Sequence, residues 1–340
     1  MNRVTFEITN RCNLHCRHCL RDDSERNRDF PIALAERILR QSKEAYGVQN
    51  AGITGGEPLL YPHLGRLLDL LAEHDYIFSL VTNGHLIPKR LGLLKRPDVK
   101  CRIEHVAVSL DGYEAELHDL IRGEGSFKKV MQAIVMLKGA GIPVVVKYTI
   151  GRHNLDSLEQ AALSLSHLEL KRIEFSLTLP TPDNVAAGLI PEPADYRRAE
   201  SAVYRMASEL KTPIAMNAGT YVKQSLYTCS SLTMMDLYVD VKGRLCVCCM
   251  LPGFRARSVK HPEPEVVADL NKMDLWDAQK KLINVISAFQ KKRLGRIGKG
   301  DLGETDHFQC LACARYFKKM EWLDALPDNP WSRSGKKKGS

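Results

Sequence analysis

No apolar run in this sequence approaches the ~18 residues that would span a bilayer, so a transmembrane segment is excluded. A signal peptide is missing as well. Met1 to Asn10 reads MNRVTFEITN, and charged residues follow at once. With neither address present, the expected location is the cytoplasm, with no membrane partner. No internal repeat is found, and no motif interleaves aromatic with basic residues in the manner of a nucleic-acid reader. Nucleic acid is therefore not the favoured partner. Acidic charge is the scarcer sign: the formal net charge is +9. The excess gathers in Lys291, Lys292, Arg293, Arg296 and Lys299, and again in Lys336 to Lys338. The plain reading is a solvated face and a disordered tail. The functional reading is attraction to an acidic partner or peptide. What remains is ordinary for a soluble globular protein: 340 residues, 44% hydrophobic and 26% charged, enough for one large domain with an appendage or for two domains.

Cysteine is abundant, with ten residues, and clustered. Cys12, Cys16 and Cys19 lie together near the start, Cys229, Cys246, Cys248 and Cys249 further on, and Cys310 and Cys313 near the end; only Cys101 stands alone. In a reducing compartment such clustering points to metal or cluster ligation rather than to crosslinks. Cys12-x3-Cys16-x2-Cys19 offers three thiolates from one tight loop. A 4Fe–4S cube held by three thiolates keeps one iron open to a chelating cosubstrate. A zinc site completed by His15 or His18 is the competing reading. Cys229-x13-Gly243-x4-Cys248 followed by Cys310-x2-Cys313 offers four thiolates, enough to close a second cluster, with a zinc ribbon as the alternative. Arg315 and Lys318 are expected to favour the thiolates of the last pair. Cys246, Cys248 and Cys249 compete for one position after the glycine; its spacing selects Cys248 and leaves Cys249 as a spare thiol.

Strand-like and helix-like patterns alternate through the first half. Strands are expected at 4–9, 48–54, 77–82, 105–110, 143–150 and 172–178, and helices at 31–46, 62–73, 86–95, 126–139 and 155–167. This order implies an α/β fold with a parallel sheet, whose chemistry sits at the carboxyl ends of the strands. The notable polar motifs fall there: the cysteine loop, Gly55 to Pro58, Thr82 to Gly84, and Ser109 to Gly112. A proline-rich connector follows, then a helix at 194–210 and a hairpin with its turn at Lys242-Gly243. The expected division is a barrel over 1–180, a connector over 181–225, a cysteine-bearing domain over 226–325 and a disordered tail over 326–340.

Cys-x3-Cys-x2-Cys after a first strand resembles the signature of the radical S-adenosylmethionine (SAM) superfamily. Ile8-Thr9-Asn10-Arg11-Cys12-Asn13-Leu14 is similar to its peptide-modifying branch. Gly55-Gly56-Glu57-Pro58 resembles the family's glycine-rich motif, Ser109-Leu110-Asp111-Gly112 its ribose segment, and Arg122-Gly123 with Ser126-Phe127 a further family stretch. The resemblance implies a partial (β/α)6 TIM-like barrel, a SAM-binding 4Fe–4S cluster on Cys12, Cys16 and Cys19, and reductive cleavage of SAM to a 5′-deoxyadenosyl radical that abstracts hydrogen from a substrate. Gly55, Gly56, Glu57 and Pro58 would meet the amino group of SAM, Ser109 and Asp111 the ribose, Arg122 the carboxylate and His18 the adenine. Asn83 and Lys147 are expected on the same rim. The second half resembles the Twitch, or shortened SPASM, auxiliary domains of the same superfamily. It implies one auxiliary 4Fe–4S cluster on Cys229, Cys248, Cys310 and Cys313, since no cysteine follows Cys313.

The leading expectation is a maturase of ribosomal peptides. Its first subtype is L-to-D epimerisation with Cys249 as hydrogen donor, and thioether or carbon–carbon crosslinking comes next. The alternative is a Twitch-type dehydrogenase or cofactor-biosynthesis enzyme acting on a small molecule. A reductant such as flavodoxin or ferredoxin is implied. Because the first strand opens the chain, peptide recognition is expected to be direct or to use a separate leader-binding protein.

Overall fold

The structure, a computed structural model, describes residues 2–22, 27–254, 263–326 and 329–332. The basic run Lys336 to Lys338 lies outside them. Six strands form the first half: β1 (Arg3–Glu7), β2 (Asn50–Thr54), β3 (Ile77–Thr82), β4 (Ile103–Ser109), β5 (Val144–Ile150) and β6 (Arg172–Leu177). Each pairs in parallel with the next, for example Val4 with Ala51, Val108 with Val146, and Tyr148 with Phe175. β4 (IEHVAVS) and β5 (VVVKYTI) are rich in β-branched residues and mostly buried, as strands covered on both faces must be.

Parallel strands need crossovers, and helices supply them: α1 (Ile32–Tyr46), α2 (Leu64–Glu73), α3 (Ile87–Leu94), α4 (Pro97–Lys100), α5 (Ala115–Arg122), α6 (Ser126–Gly139) and α7 (Leu158–Ser166). α6 shows why they pack. Val130, Ala133, Ile134 and Leu137 recur at helical spacing and are all buried. The α/β alternation expected from the sequence is present, with α5 added after the fourth strand.

The sheet does not stop at residue 180. Beyond it come α8 (Pro182–Ala186), α9 (Pro193–Glu209), β7 (Ile214–Ala218), β8 (Asp236–Val239), β9 (Arg244–Cys246), β10 (Val266–Asp269), α10 (Leu275–Lys299) and α11 (Gln309–Tyr316). β7 joins β6 in parallel and β8 joins β1 in parallel. The ten strands run in the order β10-β9-β8-β1-β2-β3-β4-β5-β6-β7, an open sheet whose edges among the described residues are β7 and β10. The second half is thus built onto both margins of the first. The hairpin forms with Tyr238 opposite Cys246. Gly243 turns it at φ 78°, a conformation that suits glycine. β9 ends at Cys246, so Cys248 and Cys249 lie in the turn after it rather than on the strand.

Two expectations change. Residues 329–332, placed in a disordered tail, are packed: Trp331 is buried and its Nε1 donates to the Pro191 carbonyl at 2.8 Å. The basic run at 291–299 is not simply a solvated face. It ends α10, whose buried stripe of Leu275, Ala278, Leu282, Ile286 and Phe289 continues into Arg293. No helix of the described residues is long and apolar enough to cross a membrane.

Candidate active site

The loop after β1 carries Cys12, Cys16 and Cys19, and the loop after β2 presses against it. Gly56 donates its N–H to the Thr9 carbonyl and Glu57 to the Arg11 carbonyl, each at 2.7 Å. A Cβ on Gly55 would stand 2.3 Å from the Thr9 oxygen, and one on Gly56 2.4 Å from the Arg11 oxygen. The glycine pair therefore serves the contact between these two loops, a requirement additional to any approach of a ligand. Pro58 begins the short 3-10 turn Pro58–Leu60, and Glu57 caps it. The Glu57 carboxylate is fully buried. It accepts from the Thr82 hydroxyl at 2.8 Å, from Leu59 N–H at 3.1 Å and from Asn83 N–H at 2.8 Å. Burial pushes its pKa up, and these three donors oppose the rise. Asn83 extends the chain of contacts to Asn13 at 2.9 Å and toward the Cys12 sulfur at 4.0 Å.

At the end of β4, next to Ser109, Asp111 collects the other residues picked out from the sequence. Its Oδ2 meets both His18 Nε2, at 2.8 Å, and Arg122 Nε, while Oδ1 accepts from Thr149 N–H at 2.9 Å. Burial alone would raise its pKa, but Arg122 and His18 outweigh burial and hold the carboxyl well below the usual range. Arg122 also reaches the Cys16 sulfur at 3.8 Å. The Cys16 thiol is pushed up to about 11 by burial, with Arg122 opposing and Cys19, Asp111 and Cys12 adding to the rise. Cys19 and Cys12 both stand close enough to Cys16 to disfavour its ionisation, an arrangement that suits a shared cationic core, because ligation requires the thiolates and the core's charge removes the repulsion.

Lys147 turns to Glu174 on the neighbouring strand, at 2.7 Å, rather than to the cysteine loop. Residues the sequence did not single out complete the rim. Asn154 donates to the carbonyls of Asp111 and Thr149, both at 2.9 Å. His118 accepts from the Asp111 N–H at 3.1 Å and meets Ser126 at 3.2 Å, while His85 meets the same hydroxyl at 2.8 Å. Burial drives His118 down to about 4, so the ring stays neutral.

The second cysteine group stands at the same end of the sheet. Cys310 and Cys313 are three residues apart on α11 and so share a face. Gly219, just past β7, donates its N–H to the Cys310 sulfur at 3.2 Å, the kind of bond that stabilises a ligating thiolate. Burial, then Cys229 and Cys249, push the Cys310 thiol up to about 12, with the Gly219 N–H opposing. Burial, then Cys229 and Cys310, raise Cys313. Cys229, Cys310 and Cys313 are therefore gathered, with Cys249 in reach of two of them. The Cys248 thiol is hydrogen-bonded to that of Cys249, both being free cysteines, and accepts from Met250 N–H at 3.4 Å. Cys246 is turned away, buried in β9 with its thiol on the Arg244 carbonyl. Arg315 does not face the thiols as expected. It bonds the Thr305 hydroxyl and the Trp331 carbonyl.

Among the described residues, no three Cys, His, Asp or Glu side chains converge closely enough to hold one metal ion.

Residues 6–165 match the family model described as the Radical SAM superfamily. The antilisterial bacteriocin subtilosin biosynthesis protein AlbA of Bacillus subtilis (strain 168) is 33% identical over 181 residues, 51% of this chain and 38% of that protein. The chain thus matches well under half the length of this curated relative. Streptococcus suis SuiB bound to S-adenosylmethionine is similar in fold, with a TM-score of 0.66 at 18% identity over 84% of this chain and 68% of that one. Native anSMEcpe with bound AdoMet and Cp18Cys peptide has a TM-score of 0.67 at 17% identity over 96% and 98%.

Proposed function

We propose, from the premise that residues 6–165 form a radical SAM domain, that this chain is a maturase that modifies a ribosomal peptide by hydrogen abstraction. The observation that carries this reading is the meeting of two thiol groups at one end of the sheet, Cys12, Cys16 and Cys19 after β1 and Cys229, Cys310 and Cys313 beside the end of β7. The similarity to a bacteriocin biosynthesis protein, and to the fold of a protein solved with a peptide, favours a peptide substrate.

In this reading Cys12, Cys16 and Cys19 hold a 4Fe–4S cluster with one open iron, and Cys229, Cys248, Cys310 and Cys313 hold an auxiliary one. When bound, the first cluster supplies the electron that cleaves SAM. The chain's own residues do the rest. Gly55 to Pro58 shape the floor against the cysteine loop, and Glu57 meets the SAM ammonium. Ser109 and Asp111 orient the ribose, His18 covers the adenine, and Arg122 neutralises a carboxylate while steadying Cys16. A flavodoxin- or ferredoxin-type protein serves as reductant.

The subtype is epimerisation, with Cys249 returning a hydrogen atom to the opposite face of the substrate carbon. A thiol S–H is weak enough to give that atom; the thiyl radical left on Cys249 returns to the thiol with one electron from the flavodoxin- or ferredoxin-type reductant and one solvent proton before the next turnover. With dithionite and SAM, the protein is expected to release 5′-deoxyadenosine and methionine without substrate. In deuterated buffer, a peptide product is expected to gain one deuterium at the inverted centre, and Cys249→Ala to abolish that gain while 5′-deoxyadenosine still forms. A product two mass units lighter, formed without need of Cys249, would instead mean crosslinking or dehydrogenation. Loss of the auxiliary cluster in Cys249→Ala would make Cys249 a ligand and Cys248 the spare thiol.

A further inference from the structure

The two thiol groups are joined by a polar clamp that no cysteine takes part in through its side chain. Arg21 lies two residues after Cys19. Its Nη2 donates to the Tyr238 hydroxyl and to the Cys249 carbonyl, both at 2.9 Å, and its Nη1 to the Pro252 carbonyl. Glu7 stands 3.5 Å from the guanidinium as its counter-charge. The Tyr238 hydroxyl donates to Glu7 at 3.0 Å, and Val241 N–H does so at 3.4 Å. The backbones meet as well: Asp22 N–H donates to the Gly253 carbonyl at 2.8 Å, and Arg21 forms an antiparallel bridge with Phe254.

The fold explains why this clamp is rigid. β8 pairs in parallel with β1, setting Tyr238 opposite Thr5 and Val239 opposite Phe6, so that Tyr238 and Glu7 project from adjacent strands. Both are buried. A carboxylate there needs a cation and donors, because an unpaired buried charge is costly. Arg21 is that cation. Its planar fork has donors left over, and they take two carbonyls of the turn that carries Cys249. A lysine would keep the charge but could not span Glu7, Tyr238 and both carbonyls at once.

We infer that Arg21 is a positioning residue: anchored on Glu7 and Tyr238, it fixes the turn carrying Cys248 and Cys249 against the loop of Cys12, Cys16 and Cys19, and so sets the separation of the two cysteine groups. The inference rests on the reading that both groups bind clusters. If Cys249 is the hydrogen donor, the same clamp sets how far its thiol stands from the SAM site. A merely structural ion pair would need no bonds to the Cys249 and Pro252 carbonyls.

The test compares wild type, Arg21→Lys and Tyr238→Phe. Hydrogen exchange on iron-free protein reads the clamp without any cluster. In Arg21→Lys, exchange of the Asp22 amide and of the amides at 250 and 251 is expected to speed about tenfold; in Tyr238→Phe, which keeps the carbonyl bonds, the increase is expected to be smaller. Low-temperature electron paramagnetic resonance of the reconstituted, dithionite-reduced proteins then reads position. In Arg21→Lys the auxiliary-cluster signal is expected to shift while that of the Cys12 cluster stays. Unchanged exchange overturns the inference. Faster exchange with an unshifted auxiliary signal reduces Arg21 to a fold-holding residue and overturns it too. A wild type with about four irons and one cluster signal defeats the underlying two-cluster reading, and the iron count alone shows it.

Discussion

At the scale of residues, the site is a set of buried polar groups that partner one another. Glu57 shows the consequence. Its carboxylate joins the β2 loop to the end of β3 through Thr82 and Asn83, so replacing it tests two roles at once. Glu57→Ala is expected to weaken SAM binding by roughly 1.5–3 kcal/mol, the worth of a charge-assisted contact, with Glu57→Gln losing less. Isothermal titration with SAM checks this; unchanged affinity in both variants would leave Glu57 as a loop tie only.

Three histidines, His105 and His118 buried and His153 half-buried, set a pH dependence. Burial lowers His105, His118 and His153 each to about 4. Between the unfolded value of ~6.5 and the folded one, the unfolded chain binds protons that the folded chain refuses. Stability present above pH ~6.5 is therefore expected to fall as pH drops toward 4. The depressed Asp111 does not act in that window, since its contribution fades only below the unfolded carboxyl value. Glu57, Glu200 and Glu265, raised by burial, oppose the loss, because the folded chain takes up their protons first as pH falls. Denaturant midpoints from pH 7 to pH 4.5 measure the slope, and His118→Gln is expected to flatten it. A His118→Gln profile with the same slope as the wild type would contradict the burial argument.

The cysteines were legible at this scale because ligand spacing is written in sequence. Their scaffolding was not. Glu7, Tyr238 and Asn154 are single polar residues in otherwise unremarkable segments, and only the packing of β8 on β1 and of the β5 loop on Asp111 gives them partners. Arg122, Asp111 and His18 were picked out separately as ligands of one cosubstrate; the structure joins them to one another.

Among elements, strands β1 to β6 could be read directly, since runs such as VVVKYTI alternate with amphipathic helices over a whole half of the chain. β7 escaped notice because Ile214–Ala218 is short and only partly apolar. α10 escaped because its apolar stripe ends in a basic cluster that reads as surface. The structure explains that cluster. Arg293 is 4% exposed, stacks its guanidinium 3.9 Å from the centre of the Tyr227 ring and donates to the carbonyls of Val222, Ser225 and Asp306. It thereby holds the segment leading into Cys229. Arg293→Met is expected to lower stability by about 3 kcal/mol, because the carbonyls of Val222, Ser225 and the buried Asp306 lose their donor and the Tyr227 ring loses its stacked cation. It is also expected to reduce iron at the auxiliary group more than at the first. Urea unfolding and iron analysis check both, and a loss below ~0.5 kcal/mol would mean that the α10 end is a solvated surface after all.

For the molecule as a whole, the sheet is the reason two sets of cysteines distant in sequence come to the same end of the fold. Adding β7 at one margin and β8 to β10 at the other brings Cys229, Cys310 and Cys313 to the strand ends where Cys12, Cys16 and Cys19 sit. The sequence indicated two metal-binding regions; it did not show that one sheet carries both, because strand order across 200 residues is not a local property. The account stands or falls on whether those two groups bind two clusters. Anaerobic reconstitution of the purified chain followed by iron, sulfide and zinc analysis measures this directly. About eight irons per chain are expected, four at each site, and about four in the Cys12/Cys16/Cys19→Ala triple variant. Stoichiometric zinc with little iron in the wild type would contradict it.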